Sequence, residues 1–181
     1  MQRVSLFGHG KTTKALTKLY PDAIFYDDKC TQTFIDDDGF EVRPSSQFIP
    51  EESYIEIPSP GIPPYNELIK KAKNVISEYD CFANNAPLSV WISGTNGKTT
   101  TTQMTQYLLK DKGSQEGGNI GTPLAELDIN AAMWILETSS FTIHYTNKAA
   151  PNIYILLPIT PDHLSWHSNM DEYIKAKLKP V

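Results

Sequence analysis

The chain has 181 residues, a net charge of −5, and 40% hydrophobic and 20% charged residues, the balance of a globular protein with room for one to two domains of about 150 residues. No apolar run approaches the roughly 20 residues that cross a bilayer, the N-terminus from Met1 lacks the pattern of a signal peptide, and no basic cluster invites nucleic acid. A cytoplasmic protein with neither a membrane nor a nucleic-acid partner is expected, and Cys30 and Cys81, without metal-ligand spacing, are expected as thiols.

Taken in chain order, the run Arg3-Val4-Ser5-Leu6-Phe7 reads as a strand that empties into Gly8-His9-Gly10, and Ala15, Leu16 and Leu19 give residues 11–19 helical spacing. Residues 23–26 form a second strand closing on Asp27-Asp28. Asp36-Asp37-Asp38-Gly39 reads as a solvated hairpin turn rather than a catalytic acidic cluster. Residues 54–57 make a third strand closing on Pro58-Ser59-Pro60-Gly61, and Pro63 and Pro64 introduce a helix over 65–72. This predicts a small Rossmann-like βαβ domain over residues 1–84, with Asn84-Asn85-Ala86-Pro87 as the linker. A second βα series follows: a strand ending at Ser93, a helix over 99–110, strands over 132–136 and 153–157, and a helix over 170–179. The expected fold class is α/β, with residues 85–181 forming a P-loop mononucleotide-binding region that the resemblance described below makes the first part of a central domain.

The sharpest chemical signal is Gly94-Thr95-Asn96-Gly97-Lys98-Thr99-Thr100, where a strand enters a glycine loop that opens directly into a helix. Gly94 and Gly97 let backbone N–H groups approach phosphate oxygens, Lys98 supplies a point charge, and the Thr99 hydroxyl reaches for magnesium. The loop reads G-x-x-G-K-T, shorter than the usual Walker form. Gly8-His9-Gly10-Lys11-Thr12-Thr13 is a weaker signal, because Thr13 stands where a third glycine would be. It is either an ordinary βα turn or a contact for a nucleotide diphosphate, with Asp27 or Asp28 meeting the ribose or base.

Glu137 closes the strand Met133-Trp134-Ile135-Leu136, which puts its carboxylate at the carboxyl edge of the sheet, where it can hold magnesium. His163 follows the next strand and should emerge at the same edge, with Asp162 as its orienting partner. Lys177 lies one turn after Tyr173 on the last helix, and by sequence physics alone it is a surface lysine.

Together, the phosphate loop, Gly118-Asn119-Ile120-Gly121-Thr122-Pro123, Glu137-Thr138-Ser139-Ser140-Phe141, Asp162-His163-Leu164 and Tyr173-Ile174-Lys175-Ala176-Lys177 resemble the Mur ligases in order and spacing. The loop is also similar to that of folylpolyglutamate synthase. Ser59-Pro60-Gly61-Ile62, the Gly-Gly-Asn-Ile-Gly segment and Glu-Thr-Ser-Ser-Phe favour the D-glutamate-adding branch. The resemblance implies an ATP-dependent ligase that makes an acyl phosphate from UDP-N-acetylmuramoyl-L-alanine and joins it to D-glutamate. It further implies that Thr99 and Glu137 hold one Mg2+ and that His163 holds a second. Lys177 would be a carbamate formed with carbon dioxide, and with Lys98 and His163 it would make up the catalytic set. Substrate contacts are expected at Gly10, Lys11, Thr12, Asp27, Asp28, Ser59, Pro60, Gly61, Asn119 and Ser139. A complete family member is longer, so the rest of the central domain and a C-terminal domain are expected to be absent here, and with them full activity. A monomer is expected. The alternatives are another ligase of the Mur or folylpolyglutamate type and a P-loop nucleotide-binding module without ligase chemistry.

Overall fold

The structure, a computed structural model, describes residues 3–119 and 121–181, so Met1, Gln2 and the Ile120 of the glycine motif lie outside the described residues. The chain divides into two compact units, Met1–Glu78 and Tyr79–Val181.

In the first unit, strands β1 (Arg3–Phe7), β2 (Ile24–Asp27), β3 (Phe34–Ile35), β4 (Glu41–Pro44) and β5 (Ser53–Pro58) form a sheet in the order β3-β4-β2-β1-β5. All pairings are parallel except β3 with β4. Phe7, Ile24, Tyr26, Phe48 and Leu68 pack into one core, with the Phe7 and Phe48 rings edge to face at 4.9 Å. The first helix is shorter than the spacing suggests: α1 covers Lys11–Ala15 and then tightens into a 3-10 turn over Leu16–Lys18. The helix expected over 65–72 reduces to α2, Glu67–Lys71, because the Asn66 side chain accepts the Leu68 N–H at 2.8 Å and fixes the start. β4 was not expected, since Glu41 and Arg43 interrupt its apolar pattern; Arg43 makes a fork-to-fork pair with Glu41 at 2.9 and 3.1 Å while Val42 is buried.

In the second unit, β6 (Leu88–Ser93), β7 (Ser114–Gly118), β8 (Met133–Glu137) and β9 (Ile153–Leu156) form a parallel sheet in the order β7-β8-β6-β9. Helices α3 (Lys98–Leu109), α4 (Ser140–Tyr145), α5 (Leu164–His167) and α6 (Met170–Leu178) complete it. The sheet is covered on both faces, as parallel sheets require. Trp91, Trp134 and Leu136 pack with Tyr79, Phe82 and Leu124, while Val90, Ile92 and Ile135 form a separate cluster with Leu109 and Leu157. The division therefore comes before the expected linker, because Tyr79 and Phe82 belong to the second core. The carboxylate of Asp80 fixes that segment by accepting the N–H groups of Asn147, Lys148 and Ala149 at 2.7–3.1 Å. Strand β7 escapes sequence reading because Ser-Gln-Glu-Gly-Gly has no apolar alternation; its pairing with β8 makes it a strand.

Candidate functional site

Parallel registers bring the ends of the second unit's strands to one edge: Ile92 and Gly118 both pair with Glu137, and Ser93 pairs with Leu156. The glycine loop, Asn119, residues 137–140 and the segment after β9 therefore share that edge, where open α/β sheets bind ligands. Gly94 sits at φ +142°, and a Cβ on it would lie 2.5 Å from the Leu157 Cβ and 3.2 Å from Leu157 backbone atoms. Only glycine lets the loop pass this closely. Thr95 is buried and points inward: its N–H donates to Pro158 O at 3.1 Å and its hydroxyl lies 3.0 Å from Thr160 O. Lys98 curls over the loop and donates to Gly94 O at 3.0 Å and Thr95 O at 2.8 Å. Asn96, Gly97, Thr99 and Thr100 are solvent-facing or nearly so, and α3 begins at Lys98 with Gly97 as its cap. Of the loop residues expected to meet ATP, Thr95 thus has its hydroxyl and both backbone groups engaged within the protein.

Beside the loop, the Glu137 carboxylate is 2% exposed and accepts one hydrogen bond at each oxygen, from the Thr99 hydroxyl at 2.7 Å and from the Asn119 amide at 2.8 Å. A buried carboxylate next to a hydroxyl at the start of a phosphate loop is a hard oxygen donor pair, and it fits Mg2+. Asn119, expected to face substrate, here orients Glu137. Ser139 is likewise engaged locally, accepting the Thr142 N–H at 3.1 Å as the cap of α4.

The largest departure is Lys177. It is not a surface lysine but is 1% exposed, and its ammonium donates to Gly94 O at 2.8 Å and to Ser93 Oγ at 3.3 Å. Burial, reinforced by the nearby Lys98 charge, pushes its pKa down to about 8. Tyr173, one turn earlier, lies with its ring centroid 5.0 Å from that ammonium. His163 remains largely outside, its side chain 48% exposed, with its Nε2 3.5 Å from Asp162 Oδ2 and its ring against Phe141. Among the described residues, no three His, Cys, Asp or Glu side chains converge as a metal cage; Thr99 pairs with Glu137, while the His163 side chain meets Asp162 and Phe141. His167 is buried against Ser140 at 2.9 Å, and burial, with repulsion from His144, Lys177 and His163, pushes its pKa down to about 4.

In the first unit, Phe7 pairs with Tyr26 and Pro58, so Gly8–Gly10, Asp27-Asp28 and Ser59-Pro60-Gly61 follow strands that end at one edge. Ser59 N–H donates to Phe7 O at 2.8 Å, Asp28 accepts from the Asn66 amide at 2.7 Å, and Lys11 is exposed beside the half-buried Thr12. Asp27 accepts the N–H groups of His9 and Lys29, both at 2.7 Å, and Gly10 N–H donates to Thr13 Oγ1 at 3.1 Å. The acidic turn is not simply solvated: the Asp36 side chain is 4% exposed and its Oδ2 lies 2.7 Å from His9 Nε2. Desolvation there opposes ionisation, but the hydrogen bonds from His9 and from the Phe40 and Asp38 N–H groups outweigh it and hold the Asp36 carboxyl below its usual range. A cleft of about 570 Å³ lined by Arg3, Tyr20, Asp22, Glu41 and Tyr54 opens where the strands begin, away from these groups.

Residues 92–179 match the Mur ligase middle domain. The chain is 57% identical over 180 residues to the UDP-N-acetylmuramoylalanine--D-glutamate ligase of Campylobacter jejuni (serotype O:6, strain 81116), covering 97% of this chain and 45% of that protein. The ligase of the same name from Helicobacter pylori (strain 26695) is 50% identical over 188 residues, covering 98% and 44%. The chain thus spans less than half the length of these relatives. Its fold is similar to those of two solved structures. One is the UDP-N-acetylmuramate:L-alanyl-gamma-D-glutamyl-meso-diaminopimelate ligase from Neisseria, with a TM-score of 0.55 and 17% identity over 100% of this chain and 68% of the other. The other is the UDP-N-acetylmuramate-alanine ligase of Thermotoga maritima, with a TM-score of 0.52 and 18% identity over 99% of this chain and 47% of the other. With the matched domain running from the phosphate loop through α6, and relatives aligned along nearly all of its residues, the chain belongs to the Mur ligase family.

Proposed function

We propose that the chain supplies the uridine-nucleotide-binding unit and the phosphate-binding part of an ATP-dependent ligase that joins D-glutamate to UDP-N-acetylmuramoyl-L-alanine in cytoplasmic peptidoglycan precursor synthesis. The observation that carries this reading is the Thr99 hydroxyl on the buried Glu137 carboxylate, 2.7 Å apart, at the mouth of the loop that also holds Lys98. The relatives' printed names supply the substrate class.

In this reading the loop N–H groups and Lys98 bind the β and γ phosphates of ATP, the ammonium exchanging the Gly94 and Thr95 carbonyls for phosphate oxygens. Thr99 and Glu137 would hold one Mg2+, and His163 with the Lys177 carbamate a second. Magnesium held there would supply positive charge to offset that of the phosphates and of the substrate carboxylate. The alanyl carboxylate oxygen attacks the γ phosphorus and ADP leaves; the D-glutamate amine then attacks the acyl carbon and phosphate leaves. The residues of this chain contribute mainly position and charge. Lys177 suits carbamate formation because its lowered pKa leaves more free amine at neutral pH than an ordinary lysine has, and the free amine is what adds to carbon dioxide. In the first unit, Lys11 and Thr12 would meet the diphosphate, and Asp27, Asp28 and Ser59-Pro60-Gly61 the uridine. The five-residue α1 offers little dipole, so side chains and loop backbone carry that contact.

Isothermal titration of the protein with ATP in magnesium and, separately, with UDP tests the reading. Binding of both is expected. A folded protein that binds neither would overturn it, while ATP binding without UDP binding would favour a nucleotide module. In the longer protein, phosphate release stimulated by D-glutamate over other amino acids tests the reaction itself.

A further inference from the structure

Helix α6 approaches the phosphate loop through two side chains one turn apart, Tyr173 and Lys177. Tyr173 is 1% exposed, and its hydroxyl lies 3.0 Å from the Thr95 hydroxyl. Thr95 Oγ1 also accepts the Thr160 N–H at 2.9 Å and stands 3.0 Å from the Thr160 carbonyl. A threonine hydroxyl has one proton and two acceptor positions. A carbonyl cannot donate, so the Thr95 proton goes to Thr160 O; with the Thr160 N–H on one lone pair, Tyr173 must donate to the other. The Thr95 hydroxyl is then saturated, and among the described residues Tyr173 is the partner that reaches it from a helix. The Tyr173 ring also lies 6.5 Å from the His163 ring and 5.2 Å from the His167 ring, so its own orientation is fixed on several sides.

We propose that Tyr173 is a positioning residue for the nucleotide: by donating to Thr95 it fixes the second residue of the phosphate loop, and with it the direction of the loop N–H groups, without touching the ligand itself. The geometry favours this over a packing role alone. A tyrosine needed only for its ring would have no reason to place its hydroxyl on a buried loop hydroxyl that already has two other partners. The inference rests on the reading of this loop as a nucleotide site, and it deepens that reading.

The test uses the 181-residue protein and three variants, Tyr173→Phe, Thr95→Val and the double variant. Tyr173→Phe keeps the ring and its packing and removes only the donor. Hydrogen exchange at the Thr95 and Thr160 amides reads the loop directly, without any ligand. Titration with ATP in magnesium reads the consequence, and thermal unfolding checks that each variant is folded. Tyr173→Phe should speed exchange at both amides and weaken ATP binding, each by about 5- to 20-fold, the effect of one hydrogen bond to a buried acceptor. In the Thr95→Val background the same change should have almost no further effect, because its acceptor is gone. Unchanged amide exchange in Tyr173→Phe would overturn the proposal whatever the ligand does. So would additive effects in the double variant, or unaltered ATP affinity in Tyr173→Phe when the parent protein binds ATP. If the parent protein binds no ATP, the nucleotide reading of the loop fails and takes the ligand-positioning role with it, while the exchange data still show whether Tyr173 holds Thr95.

Discussion

The two glycine loops of this chain share a local plan and end with opposite electrostatics. In each, a parallel strand runs into a glycine-bearing turn that opens a helix. In the first unit the His9 N–H is taken by Asp27 and its ring by Asp36, so carboxylates of the chain itself surround the loop. In the second unit the Gly94 carbonyl receives two ammonium groups, those of Lys98 and Lys177, and the Glu137 carboxylate is held by Thr99 and Asn119. The helices differ as well, five residues for α1 and twelve for α3, so the second loop has the stronger positive helix end. Glycine spacing alone therefore leaves the electrostatics of such a loop open, and the charges that the fold brings to it set them.

Substituting glycine probes the comparison most severely. Gly94→Ala places a methyl 2.5 Å from Leu157 at a φ of +142°, whereas Gly8→Ala, at φ +82°, meets the Ser59 Cβ at 3.2 Å and the movable Ile62 Cδ1 at 3.3 Å. Gly94→Ala is expected to cost about 3 kcal/mol or more and Gly8→Ala about 1–2 kcal/mol. Urea unfolding separates them. The chain's three tryptophans, at positions 91, 134 and 166, all lie in the second unit and report on it, while amide exchange reports on the first.

Charge removal comes next. Lys98→Ala should lower ATP affinity about 100-fold, as expected for a desolvated lysine-phosphate contact, with a stability change within about 1 kcal/mol. Lys11→Ala should lower UDP affinity less than about 10-fold, because its side chain is exposed. Equal losses in the two titrations would erase the contrast between the loops.

Acid should loosen the second unit before the first. His167 is buried and neutral, and its pKa is lowered from 6.5 to about 4. The unfolded chain therefore gains a proton that the folded chain refuses, and stability falls as pH drops from 6.5 toward 4. The loss is on the order of 2 kcal/mol, and tryptophan-detected urea unfolding at pH 7 and pH 4.5 measures it. In His167→Gln the difference between the two pH values should shrink. The smallest effect concerns Asp36, whose pKa lies below its usual 3.8. Its contribution is complete above that value and is lost as pH falls through the lower, folded-state pKa. Asp36→Asn should flatten the first unit's acid response only in that range, read by amide exchange.

The sequence by itself determined the elements whose signals are local. Strand β1, strand β6 and the start of α3 follow from short, mainly apolar runs and from Gly97 just before a helix, and the candidate magnesium pair follows from the start of α3 and the end of β8. Strands β4 and β7 were not legible, because they owe their state to neighbouring strands rather than to their own composition. The same division holds at the site. Lys98, Thr99 and Glu137 stand next to the motifs that betray them, and Lys177 was named only through resemblance. Its burial under the phosphate loop, the donation from Tyr173 to Thr95 and the pairing of His9 with Asp36 were decided by tertiary structure. These contacts join residues 84, 78 and 27 positions apart. No local pattern can encode such a separation, because the energy of burying a lysine or saturating a hydroxyl depends on what the rest of the fold places against it.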